Sequence, residues 1–148
     1  MKIEFKGFDD LIERINKAGG NAKEAAEEAL EASQKYIQEQ LTAAAAPYAS
    51  KGLKGYAAGE MFDAIIKDPQ VTWEGSVASV PVGFDLKKKG GYHSIFIMYG
   101  TAAHGKNKGI RKDANIYNAI RGTKTKKEIA RIQEEIMKRR LALTGPNG

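Results

Sequence analysis

Phe8, Leu11, Ile12 and Ile15 stand at i, i+3, i+4 and i+7, the spacing of one apolar stripe along a helix. Residues 1–7 before it read as a short extended lead-in, and Gly19-Gly20 ends the helix. Asn21 is a favourable N-cap for the next helix, with Glu24 three residues on in the capping-box position. The pattern then predicts a long helix over Ala22 to Ala46, a rod of roughly 37 Å at 1.5 Å per residue. Ala22, Ala25, Ala26, Ala29, Ser33, Tyr36, Ile37, Gln40, Leu41 and Ala44 mark its inner face. The first half of that face is almost all alanine, which permits close approach but buries little area and leaves part of the face for a partner. Pro47 stops the helix.

Residues 47–58 contain two glycines and read as a loop. Gly59 to Lys67 is expected as a short helix with Met61, Ile65 and Phe62 inward, and Pro69 blocks its continuation. Val71–Glu74 and Val77–Phe84 have strand character around a Gly75-Ser76 hairpin turn, and Pro81 argues for an edge position or a bulge in the second strand. Lys87-Lys88-Lys89-Gly90-Gly91 reads as a flexible, disordered basic loop. Tyr92 to Tyr99 is too short an apolar run for its period to separate a strand from a buried helix, and it ends at a sharp Gly100-Thr101 turn. Asp113 caps a short helix through Ile120, which Gly122 ends. Thr123 or Thr125 caps the last helix, with Glu128 at the capping-box spacing from Thr125. Its narrow apolar stripe is Ile129, Ile132, Ile136 and Leu143; Glu134–Lys138 and Glu135–Arg139 pair at i, i+4 on its wet side, and residues 144–148 fray. Together these elements predict one α+β domain spanning 1–148, a small antiparallel sheet packed by a long helix in the N-terminal half, with a C-terminal helix.

Charge changes this picture more than composition does. Residues 1–85 hold 9 Lys+Arg and 14 Asp+Glu, a balance of −5, whereas residues 86–148 hold 15 and 4, a balance of +11. Such a split suits phosphate binding by counterion release, head-to-tail contacts between an acidic face and a basic one, or two solvated surfaces. With no cysteine there is no disulfide or thiolate metal site. No apolar run approaches the ~20 residues that a membrane span needs, and the first residues lack the apolar core of a signal peptide.

Catalytic chemistry finds little purchase. Gly100-Thr101-Ala102-Ala103-His104-Gly105-Lys106-Asn107 fits the phosphate-cradling G-x-x-x-x-G-K string. Asn107, however, stands where a Ser or Thr would ligate Mg²⁺, and Gly109 falls where a helix should propagate. His93 and His104 are the only histidines and assemble no zinc site; each reads as a partly exposed side chain. Glu24, Glu27, Glu28 and Glu31 read as solubilising charges on the outer face of the long helix, and Glu60 and Asp63 as favourable charges near a helix start. No enzyme activity, cofactor or metal is expected. Lys87, Lys88, Lys89, Lys106, Lys108, Arg111 and Lys112 cluster in two loops flanking the apolar run. They lie at opposite ends if that run crosses the domain, and form one patch if it doubles back. Tyr92 and Tyr99 are the only aromatics near them, so any nucleic-acid contact is expected at the backbone rather than through sequence readout.

One ordered set of motifs resembles a known family. It comprises Phe8–Leu11, the Ala/Glu-rich helix, Gly59–Ile65, Val80–Phe84, Phe96–Thr101 with its Tyr99-Gly100-Thr101 turn, Ile116–Ile120, and the Lys124–Ile129 helix start. In that order they resemble the neck or tail-completion proteins of long-tailed bacteriophages, also described as minor tail or head–tail joining proteins. The basic Ala103–Lys112 segment is an insertion relative to that pattern. The resemblance implies a small α+β virion structural protein of a phage or prophage, assembled in the bacterial host cytoplasm as a homo-oligomeric ring or collar. Its partners would be head-connector and tail proteins, with non-specific DNA contact and no membrane. The loops at 86–91 and 102–112 are the expected partner-facing or DNA-facing surfaces. The alternative is a non-sequence-specific nucleic-acid-binding protein using its basic C-terminal half.

Overall fold

The computed structural model describes residues 1–49, 59–75, 77–103, 105–106 and 108–144. Most of the 47–58 loop, Ser76 of the hairpin turn, His104, Asn107, the 145–148 tail and the side chain of Leu143 lie outside the described residues. The fold is α+β. In chain order it runs β1 (Lys2–Phe5), α1 (Asp9–Lys17), α2 (Ala22–Ala45), a 3-10 turn (Ala46–Tyr48), α3 (Glu60–Asp63), β2 (Thr72–Glu74), β3 (Val77–Pro81), α4 (Lys89–Tyr99), α5 (Ala114–Arg121) and α6 (Thr123–Thr144). These make two compact units.

The first unit comprises Met1–Tyr36, Asp68–Pro81 and Lys126–Gly148. Its sheet is antiparallel in the order β1-β3-β2. Phe5, Ala78 and Trp73 lie in one cross-strand row, and Ile3 pairs with Val80 two positions on; alternation puts all five on the same face. Pro81 ends the central strand, where an edge or a bulge was expected. It pairs only with Lys2 of β1, since pairing with β2 stops at Ser79. The lost N–H therefore falls where the ladder has a neighbour on one side only.

Local capping rules explain where α2 begins. The Asn21 side chain accepts from the Glu24 N–H at 3.1 Å, satisfying one of the orphan donors at the N-terminus. Ala22, Ala25, Ala26 and Ala29 are buried within the chain itself, so the alanine face is not left for a partner. Leu30, Gln34 and Ala45 join it, while Gln40 is exposed and Tyr36 and Ala44 are half-buried.

The acidic side of α2 is not a purely solvated row. Glu27 accepts from the Trp73 indole N–H at 2.9 Å. Glu28 accepts from Arg140 Nε at 2.5 Å and also from Arg139. Arg139 therefore reaches across to α2 and not to Glu135, which pairs with Arg131 at 2.7 Å; the expected Glu134–Lys138 pair forms, also at 2.7 Å. Inside α6 the most buried apolar side chain is Met137, beside buried Gln133, with Ile129, Ile132 and Ile136 half-buried.

The second unit comprises Ile37–Lys67 and Val82–Thr125. Here α3 is a single turn, shorter than the Gly59–Lys67 helix expected, because the chain straightens into an isolated antiparallel bridge between Ile65 and Phe84. Ile66 N–H donates to Gly83 O at 2.9 Å, and Asp85 N–H to Ala64 O at 2.7 Å. Against α3 and Asp85 packs α4, which resolves the Tyr92–Tyr99 ambiguity as a helix. Its first turn is Lys89-Gly90-Gly91, so the expected disordered loop is ordered and its two glycines are buried. A Cβ on Gly90 would lie 2.0 Å from Glu60 O, and one on Gly91 1.8 Å from Asp85 O. Only glycine permits that approach.

Thr125, expected as an N-cap, lies inside α6 and is buried; its hydroxyl donates to Asn118 O at 2.9 Å and Ala119 O at 3.3 Å. It closes the end of α5 instead of opening α6, satisfying carbonyls that a helix C-terminus leaves unpaired.

Two outcomes test this packing. In an exposed helix Gly→Ala stabilises by about 1 kcal/mol; Gly90→Ala should instead destabilise by roughly 3 kcal/mol, the upper range of overpacking, read from denaturant midpoints. A stabilised variant would contradict the close approach. For Glu28, burial raises the carboxyl pKa, but the Arg140 and Arg139 guanidiniums outweigh it and hold the group below its ordinary 4.5. The ion-pair contribution is then complete above 4.5 and lost as pH falls through the lower folded value. Glu28→Gln should cost roughly 1 kcal/mol near neutral pH, with the gap from wild type closing in acid. A gap that does not narrow as the pH is taken below 4.5 would remove the ion pair as its cause.

Candidate functional site

The sequence-predicted basic residues gather in the second unit but not in one patch. Because α4 is a straight helix of 11 residues, roughly 16 Å long, Lys87 and Lys88 precede it at one end and Arg111 and Lys112 follow it beyond the other. Lys89 belongs to α4 itself. Lys88 is partly structural, its ammonium donating to Asp63 O at 3.4 Å.

At the far end, Gly100 terminates α4 with φ +74°, and a Cβ there would meet Ile110 O at 2.9 Å. Thr101 and Ile110 then form an antiparallel bridge: Thr101 N–H donates to Ile110 O at 2.8 Å, and Ile110 N–H donates to both Thr101 O and Thr101 Oγ1. The Tyr99-Gly100-Thr101 turn thus ties the base of the 101–110 loop, from which exposed Lys106 and Lys108 project. The G-x-x-x-x-G-K string follows a helix, whereas the phosphate-cradling motif follows a strand.

Asp113 positions what comes after. Its Oδ1 accepts from Asn115 and Ile116 N–H at 2.9 and 3.2 Å, capping α5 as expected. Its own N–H donates to Ile97 O at 2.8 Å, and Oδ2 accepts from the Tyr48 hydroxyl at 2.6 Å. Burial, then the hydrogen bond and charge of Asp113, push the Tyr48 phenol up to about 12. One residue therefore ties the turn after α2 to α4 and α5, its carboxylate to Tyr48 and α5 and its N–H to α4. Sequence spacing shows the cap but not the tyrosine, which lies 65 residues away.

His93, expected as partly exposed, is 7% exposed. It sits on the inward side of α4 because Tyr92 takes the outward one, and its ring meets Phe96 edge-on at 6.1 Å. Burial lowers its pKa, the Glu60 carboxylate opposes that shift, and Lys89 reinforces it. Glu60 also has a buried Oε2 without a hydrogen-bond partner. The histidine thus has an acidic neighbour that the sequence did not identify. Among the described residues, no group of three or more His, Asp or Glu side chains is arranged to hold a metal ion, and no helix is long and apolar enough to cross a membrane.

The first unit carries a separate concavity of about 720 Å³. Phe5, Ile12, Ala26 and Trp73 form its apolar walls, with Asp9 and Lys23 at its lips. The Glu27 hydrogen bond fixes the indole, and the Lys23 ammonium lies 5.7 Å from the ring centroid. Its walls come from four separated segments, so no local pattern announced it.

The electrostatics differ between units. The first holds 12 Lys+Arg and 13 Asp+Glu, a balance of −1; the second holds 12 and 5, a balance of +7. The −5 and +11 halves of the sequence are therefore not two faces, because basic α6 folds onto acidic α2 and the excess collects around α4 and α5.

The lowered His93 pKa has a sign that can be checked. Its folded value lies below the ordinary 6.5, so the unfolded chain binds the proton more tightly and stability falls as pH drops below 6.5. NMR titration should place His93 below 6.5; a midpoint at or above that value would mean that burial does not outweigh the Glu60 carboxylate. No family model, curated protein or solved structure matches the chain.

Proposed function

We propose that this chain is a virion structural protein of a phage or prophage, acting in tail completion or head–tail joining and assembling into a ring or collar by protein–protein contacts. One observation supports the reading above others. The Met61–Ile65, Val82–Phe84, Phe96–Thr101 and Ile116–Ile120 parts of the resembling motifs, far apart in sequence, pack within the second unit. They supply its buried Met61, Ile65, Val82, Phe84, Ile97, Met98, Ile116 and Ile120. Residues that share one core are held to one pattern by packing, and the tied 101–110 loop, with exposed Lys106 and Lys108, lies off that core and suits reading a partner.

A second reading, non-sequence-specific nucleic-acid binding, is favoured by the +7 balance of that same unit. The two readings separate in the phage or prophage carrying the gene. Deletion should yield DNA-filled heads and loose tails under negative-stain electron microscopy; intact tailed particles would remove the joining role. Charge reversal of Lys106, Lys108 and Arg111 should lower particle yield without unfolding the protein, since these exposed side chains lie off the core. Normal yield from that variant would remove the loop from the contact surface.

A further inference from the structure

The outward side of α4 carries a row the function above does not use. Lys89, Tyr92, Phe96 and Tyr99 stand at i, i+3, i+7 and i+10, on one side of the helix. Tyr92 and Tyr99 are 56% and 52% exposed, among the largest exposures of any hydrophobic side chain described. Half-buried Phe96 lies between them, with Tyr92 edge-on to it at 5.5 Å. Beyond Tyr99 the row continues onto α5: the Tyr117 ring is edge-on to it at 5.9 Å, and the Lys112 ammonium sits 3.8 Å over the Tyr117 ring. The opposite side of α4 is buried through His93, Ser94, Ile97 and Met98, so the row is held by a packed helix.

We propose that this row is a platform for single-stranded nucleic acid, on which Tyr92 and Tyr99 stack with bases while Lys89 and Lys112 meet phosphates. It rests on the nucleic-acid reading above, not on the joining role. Charge selects the ligand class: both ends of the row are cationic and the unit carries +7, which favours a polyanion. It also disfavours pairing of this face with itself, since parallel or antiparallel α4 contacts would set lysines against lysines. Aromatic faces between the cations select within polyanions, because exposed rings gain from bases that are free to stack and duplex bases are not. Tyr92 and Tyr99 are seven residues apart, about 10 Å along the axis, so the two rings can engage different bases of one strand.

Fluorescence anisotropy of the full chain with a labelled oligothymidylate of about a dozen nucleotides, within the usual range of single-strand site sizes, tests the proposal at low salt. Tyr92→Ala and Tyr99→Ala should each weaken binding roughly tenfold, and Tyr92→Phe and Tyr99→Phe should retain it, because stacking needs the ring and not the hydroxyl. Lys89→Ala and Lys112→Ala should each lower the salt dependence by about one phosphate. Circular dichroism serves as the folding control. Alanine variants that bind like wild type, or a duplex that binds as tightly as the single strand, would overturn the platform and leave backbone-directed binding standing. Failure of both nucleic acids to bind would overturn the platform and the nucleic-acid reading together. Equal competition by polyglutamate would overturn it in favour of a general polyanion surface.

Discussion

The approach of α4 to α3 and to Asp85, beside the Ile65–Phe84 bridge, is the constraint on which the second unit depends. Two successive glycines bring the helix backbone against the carbonyls of Glu60 and Asp85, at distances where any Cβ would collide. Backbone meeting backbone leaves no side chain to adjust, so the position of α4 is set sharply. From that seat the helix buries Ile97 and Met98, and its Ile97 carbonyl receives the N–H of Asp113. Asp113 then caps α5 and takes the Tyr48 hydroxyl. The order of causes runs from a steric allowance to a helix position, and from there to the network that holds the turns around it.

Charge placement shows how folding rewrites a one-dimensional pattern. The sequence divides cleanly into an acidic and a basic part, and this division suggests two faces ready for head-to-tail contact. In the fold, Arg139 and Arg140 reach Glu28 from a helix more than a hundred residues along the chain. The acidic row of α2 is thereby used partly within the molecule, and the first unit comes out nearly neutral. What remains unmatched is the basic charge of the second unit, concentrated beside α4. The division along the sequence therefore does not carry over unchanged into the fold, where the net positive charge lies in the second unit, at both ends of α4.

Legibility in the sequence followed the range of the interaction responsible. Asn21 with Glu24, Asp113 with Asn115 and Ile116, and the Gly100 stop were all readable because donor and acceptor lie within a turn of each other. The α1 stripe and the alanine face of α2 were readable for the same reason, since helical periodicity is local. Reading failed where a distant segment decides. Lys87–Gly91 looks like a loop because glycine pairs weaken helices, and only the α3 backbone against Gly90 and Asp85 against Gly91 explain why they start one. Thr125 has the spacing of an N-cap, yet its hydroxyl is drawn to the α5 carbonyls. His93 and Tyr92 are neighbours of similar apparent exposure until the direction of α4 separates them into a buried and an open side.

That separation also follows from how α4 is seated in the second unit. A helix seated less firmly could bury its aromatics by rotating, and the glycine contacts hold it against doing so. Tyr92 and Tyr99 remain in solvent because their burial would withdraw Ile97 and Met98 from the core. Transfer of fully buried side chains of that kind is worth about 1.5–3 kcal/mol each. Exposure of the tyrosines is therefore a consequence of where the core lies and not of local mobility. The tied loop at one end of the helix and the lysines at the other supply charge without altering that geometry. The row therefore combines cationic ends with exposed rings on a helix whose position the core sets.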